Sequence, residues 1–137
     1  METYIPLESE ADSLNSYTGF AVHGLAQTEN YARALFTGIF EQSRPDEIEK
    51  LVRIRMGRRE DLVARPEPLS FTFILDEGAL YRRVGDARIM REQLTQLLEF
   101  SEMPEVRFRV LPFDLGNHLG NQCSYGIFQF NEPFPVV

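Results

Sequence analysis

Residues 69 to 111 constrain this chain more than any other stretch. Leu69, Phe71, Phe73 and Leu75 recur at every second residue, as do Val106, Phe108 and Val110, the period that lines one face of a strand. Between the two runs, Ile89, Met90, Gln93, Leu94, Leu97, Leu98 and Ser101 recur at three- and four-residue steps, the spacing of one helix face, with Asp86 placed to cap it. A strand–helix–strand crossover joins its strands in parallel and is right-handed. The expected fold is therefore mixed α/β: a small mixed sheet with the 69–111 crossover helix on it. Leu94, Leu97 and Leu98 are expected to pack on Phe71, Phe73, Phe108 and Val110.

Upstream, residues 2 to 17 carry four acidic residues around Ala11, Leu14 and Tyr17 and read as a short acidic helix or an ordered arm. FAVHGLAQ (20–27) reads as an extended or turning segment. Thr28 is placed to cap a helix whose Tyr31, Leu35 and Ile39 share a face. Pro45 suits the first turn of a second helix, in which Ile48, Leu51, Val52, Met56, Leu62 and Val63 sketch a buried stripe to about Ala64. Both N-terminal helices are expected against the sheet. DEGALYRRVG (76–85) reads as a helical turn. The loop from Phe113 to Tyr125 is too long for a plain hairpin; beyond it Ile127 to Phe130 is expected antiparallel to Val106–Leu111, and PVV (135–137) to open another strand.

At 137 residues the chain fits one domain with a core of its own. Its formal charge of −7 argues against a general nucleic-acid binder, since that affinity comes from Lys and Arg neutralising phosphates. A single cysteine, Cys123, permits no internal disulfide and fits the cytoplasm, and no apolar run is long enough to span a membrane. No Cys/His pair has metal-ligand spacing and no phosphate loop is present, so neither metal nor cofactor is expected. Asp114, His118 and Cys123 share one loop and include the ingredients of a covalent hydrolase, though without a nucleophile elbow. Arg55, Arg58 and Arg59 read as a solvated helix face or as a docking face for an acidic partner.

Four blocks, GLAQTENYARA (24–34), VRIRMGRREDL (52–62), LDEGALYRRVGDARIMREQLTQLLE (75–99) and VLPFDLGNHLGNQCSYGIFQF (110–130), resemble the DUF5753 domain. That family forms the C-terminal part of actinobacterial XRE-type helix-turn-helix regulators, WhiJ-like and antitoxin-like. The chain departs from it in having His23 where the family has proline, so that the entry to the first helix is expected to bend differently.

The resemblance implies a non-catalytic regulatory domain, spanning residues 1–137, that binds a small-molecule signal or a small partner protein encoded nearby. DNA would be reached only through a separate helix-turn-helix domain. The block around the first helix contributes Gln27, Tyr31 and Arg33, and the long loop contributes Asn117, His118 and Asn121; together they are expected to serve one pocket. Two other readings stand beside it: a hydrolase or nuclease using the His118 loop, and a purely structural module forming a homodimer.

Overall fold

The computed structural model describes residues 4–131, without the side chains of Tyr4, Ile5, Pro6, Leu119 and Asn121. Helix α1 (Tyr4–Glu10) leads into strand β1 (Ser13–Thr18); after a 3-10 turn at Gly24–Ala26 come helices α2 (Glu29–Ile39) and α3 (Pro45–Val63). Strand β2 (Ser70–Asp76) follows, then α4 (Glu77–Tyr81), α5 (Ala87–Ser101), β3 (Val106–Leu111) and β4 (Tyr125–Gln129). The expected strand at 135–137 lies outside the described residues.

The four strands form one mixed sheet in the order β3-β2-β1-β4. β1, β2 and β3 run parallel, with Phe73 level with Ser16 and Phe108, and β4 runs antiparallel to β1. Both crossovers step the same way across the sheet. Right-handed connections therefore place α2, α3 and α5 on one face, where Leu14, Phe73, Leu75 and Val106 share a core with Leu25, Tyr31, Leu97 and Phe100.

The expected parallel pairing of the 69–75 and 106–111 strands is present, but three expectations need correcting. Residues 13–18 form a strand at the centre of the sheet rather than part of an acidic helix or arm, because Leu14 and Ser16 pack inward and Tyr17 is buried on the other side. β4 consequently pairs with β1 and not with β3. In α5 the buried face is Gln93, Leu97 and Phe100; Leu98 is 69% exposed, and Leu94 and Val110 are each more than a third exposed. The face has turned because Gln93 is drawn inward by two hydrogen bonds, described below.

Helix α2 shows the same rotation: Tyr31, Ala32 and Phe36 are buried while Ile39 is exposed. Its cap is as expected, the Thr28 hydroxyl accepting from Tyr31 N. α3 begins with Pro45, and the Glu47 carboxylate accepts from Arg44 N at 2.9 Å. Ile48, Val52 and Leu62 are buried as expected, whereas Val63 is exposed. His23 has φ −56° and ψ 140°, within the range that a proline ring fixes, so replacing the family's proline needs no change of direction at the entry to α2.

Candidate functional site

Two polar regions stand out, and the first surrounds the turn at residues 22–28. Gln27 and Gln93 are both buried. Gln27 donates to Val22 O at 2.8 Å and accepts from Arg55 at 2.9 Å. Gln93 accepts from Thr28 N and donates to Ala26 O, both at 2.8 Å, and Gln96 donates to the same carbonyl. The Tyr31 hydroxyl accepts from Val22 N at 3.3 Å, and burial raises its pKa. Arg33 pairs with Glu49 and Glu29, which hold its pKa above its usual value, and the Arg33 guanidinium in turn brings that of Glu49 down.

The arginines of α3 close this region from below. Arg55 lies with its guanidinium 4.9 Å from the Phe36 ring centre, and Arg59 sits 5.2 Å from that of Phe100 while reaching Gln27 O. Arg58 holds Glu8 through two hydrogen bonds. Arg55 packs closely on Gly24, since a Cβ there would lie 2.6 Å from Arg55 Nη1 and would displace the guanidinium. All three arginines are half-buried, so the expectation of a solvated face does not hold for them. They are held against the body of the protein because neutral oxygens, aromatic faces and one buried carboxylate receive them.

The second region lies at the carboxyl ends of the parallel strands, where open α/β sheets bind ligands. There the 112–124 loop folds back over the ends of β1 and β2. Phe113 N donates to Glu77 Oε2 at 2.6 Å, and Gly19 N donates to the Ser124 hydroxyl at 3.2 Å. Asp76 caps α4 through Gly78 N, and its other oxygen lies 3.6 Å from His118 Nε2. His118 Nδ1 accepts from Gly120 N at 3.2 Å. The Tyr17 ring meets His118 edge-on at 5.7 Å and lies 5.8 Å from Tyr125. A Cβ on Gly120 would come within 2.9 Å of the Tyr17 ring. Burial, and then the nearby Asp76 carboxylate, raise the pKa of Tyr17.

Two cavities adjoin there, sharing Tyr17 and Ser124. One, of about 280 Å³, is bounded by Asp76, Gly120 and Cys123. The other, of about 310 Å³, reaches Arg55, Arg58, Glu8 and His23. His23 is packed on Phe73 and accepts from Leu25 N; burial, then the charges of Arg55 and Arg58, lower its pKa to about 4. Among the described residues no group of three or more His, Cys, Asp or Glu side chains is placed to hold a metal ion, and no helix is long and apolar enough to cross a membrane.

Of the expected site residues, His118 lies behind the crevice wall, against Asp76 and Tyr17, without lining either cavity, and Asn117 precedes it, exposed. The Asn121 side chain lies outside the described residues. Gln27, Tyr31 and Arg33 line neither cavity: two are buried in the turn region and the third is paired on the helices. Sequence reasoning missed Tyr17, Asp76 as the partner of His118, and Ser124. Asp76 could have been found from the rule that ligands gather at strand carboxyl ends, but Tyr17 was hidden with its strand.

Fold and crevice together define a mixed α/β domain with helices on one sheet face and a polar, two-chambered cleft at the carboxyl ends of its strands. The chain belongs to the DUF5753 family, a domain of unknown function whose model matches residues 1–137. No curated protein and no solved structure matches it.

Proposed function

We propose that this is the non-catalytic sensor domain of a transcription regulator, and that the carboxyl-end crevice receives its signal, a small molecule or a segment of a small partner protein. The observation that carries this reading is the pair of adjoining cavities under a long loop pinned by Glu77 and Ser124. Such a site is concave, mixed in polarity and positioned by rigid strands. DNA would be contacted by a separate helix-turn-helix module, in keeping with the charge of −7 and the family resemblance.

A catalytic reading draws on the Asp76–His118 pair. A general base, however, needs one ring nitrogen facing the nucleophile while the other meets the orienting acid. Here Nε2 faces Asp76 and Nδ1 accepts from Gly120 N. That arrangement favours a positioning role for His118.

Native mass spectrometry of the intact protein, purified alone and co-expressed with any small protein encoded beside it, tests the sensor reading. A stoichiometric complex or retained small molecule, diminished in His118→Ala, is expected. Bare chain under all conditions, or a hydrolytic activity abolished by His118→Ala, would overturn it.

A further inference from the structure

The larger cavity holds an uneven set of charges. Arg58 is neutralised by Glu8, a carboxylate almost wholly buried on α1. Arg55 forms no ion pair among the described residues: it meets the neutral amide of Gln27 and the Phe36 ring. Glu8, the one carboxylate lining the cavity, is held by Arg58. A half-buried guanidinium facing a cavity whose one lining carboxylate is already bonded to another arginine is costly, and an entering anion relieves that cost. Burial, and then the same arginine charges, keep His23 neutral, so it offers no competing cation. Leu14 and Phe128 add apolar surface to the lining of the cavity.

We propose that this cavity binds a small carboxylate with an apolar body, its carboxyl group received by Arg55 and its body lying against Leu14 and Phe128. A planar fork of N–H donors matches a carboxylate better than a point charge does. The volume of about 310 Å³ falls at the lower end of small-molecule sites. Glu8 is the cavity's built-in competitor, because it is the anion that already holds Arg58. The assignment rests on the sensor reading and names the chemical class of the signal.

The test is a titration of the isotope-labelled intact protein at constant ionic strength with benzoate, with benzyl alcohol and with inorganic phosphate. Benzoate is expected to give saturable amide shifts at Gly24 and Gly126 with a Kd of about 1 to 10 mM, the range for so small a ligand. Benzyl alcohol, which keeps the ring and lacks the charge, is expected to give none at those residues. Arg55→Gln should weaken benzoate about tenfold or more, as loss of a charged hydrogen bond does, and Glu8→Gln should tighten it several-fold. If Arg55→Gln fails to fold, the benzoate and benzyl alcohol arms on the natural chain still decide. Absence of saturation by benzoate, an equal response to benzyl alcohol, or saturation by phosphate alone would overturn the assignment. A partner complex seen by mass spectrometry together with any of those outcomes would remove this ligand class and leave the sensor reading standing.

Discussion

The turn at residues 22–28 and the cleft under residues 112–124 are both rich in polar side chains, yet they spend them differently. Around the turn, Gln27, Gln93, Thr28 and Tyr31 answer one another and the backbone, and Arg55 and Arg59 close on the same set. Around the cleft, Asp76 and Tyr17 line open volume, with His118 packed against both. A buried amide with both ends bonded fixes the chain; a polar group that lines a cavity remains available to a ligand. Polar residues at fixed spacings in a family block can therefore mark a structural clamp, and here they do so at the first block.

The largest effect should follow from breaking the clamp. Gln93→Leu keeps the volume but leaves Thr28 N and Ala26 O without that partner, and is expected to cost about 3 to 5 kcal/mol in urea unfolding. His118→Ala, at the cleft, is expected to cost less than about 1 kcal/mol. Equal costs would erase the distinction between the two regions.

Next comes the face of α5. Leu97, 4% exposed, should cost about 3 kcal/mol on truncation to alanine, whereas Leu98→Ala should stay within about 0.5 kcal/mol. The reverse order would restore the leucine-lined face that the sequence suggests.

Acid sharpens the comparison at the border of the two regions, where His23 sits. Its folded pKa of about 4 lies below the ordinary value of about 6.5, so as pH falls the unfolded chain takes up the proton first. The stability that His23 contributes is thus complete above about pH 6.5, declines towards pH 4 and levels off below, a loss of roughly 3 kcal/mol. His23→Gln, which keeps an acceptor for Leu25 N, should flatten the curve in that window relative to the natural chain. An unchanged pH profile would mean that His23 is solvated.

The smallest effect concerns Ser16. Its buried hydroxyl is the one orphaned buried side-chain group among the described residues. Ser16→Ala should stabilise the protein by about 0.5 to 1 kcal/mol, and a measured loss would reveal a partner for that hydroxyl.

What the sequence disclosed follows from the same physics. The parallel 69–75 and 106–111 pair was legible because its apolar alternation is strong, as were the Thr28, Asp76 and Asp86 caps. β1 was hidden because Ala11, Leu14 and Tyr17 fall at helical spacing, and because its inward Ser16 is polar. With β1 unseen, β4 had only β3 as a visible neighbour. The rotation of α2 and α5 was equally hidden: hydropathy favours Leu94 and Leu98, and only the folded chain shows that Gln93 finds Thr28 N and Ala26 O. The 113–125 loop was recognisable by its length as more than a plain hairpin, whereas its contact with Tyr17 was not.

The central claim is that recognition belongs to the cleft while the first-helix block is structural. Its most direct test compares binding of the small partner protein or retained signal by Arg33→Ala and His118→Ala, each shown to be folded. Arg33 holds partly exposed ion pairs worth about 1 kcal/mol or less, so Arg33→Ala should bind like the natural chain while His118→Ala binds at least several-fold more weakly. Loss of binding in Arg33→Ala with His118→Ala unaffected would contradict the account.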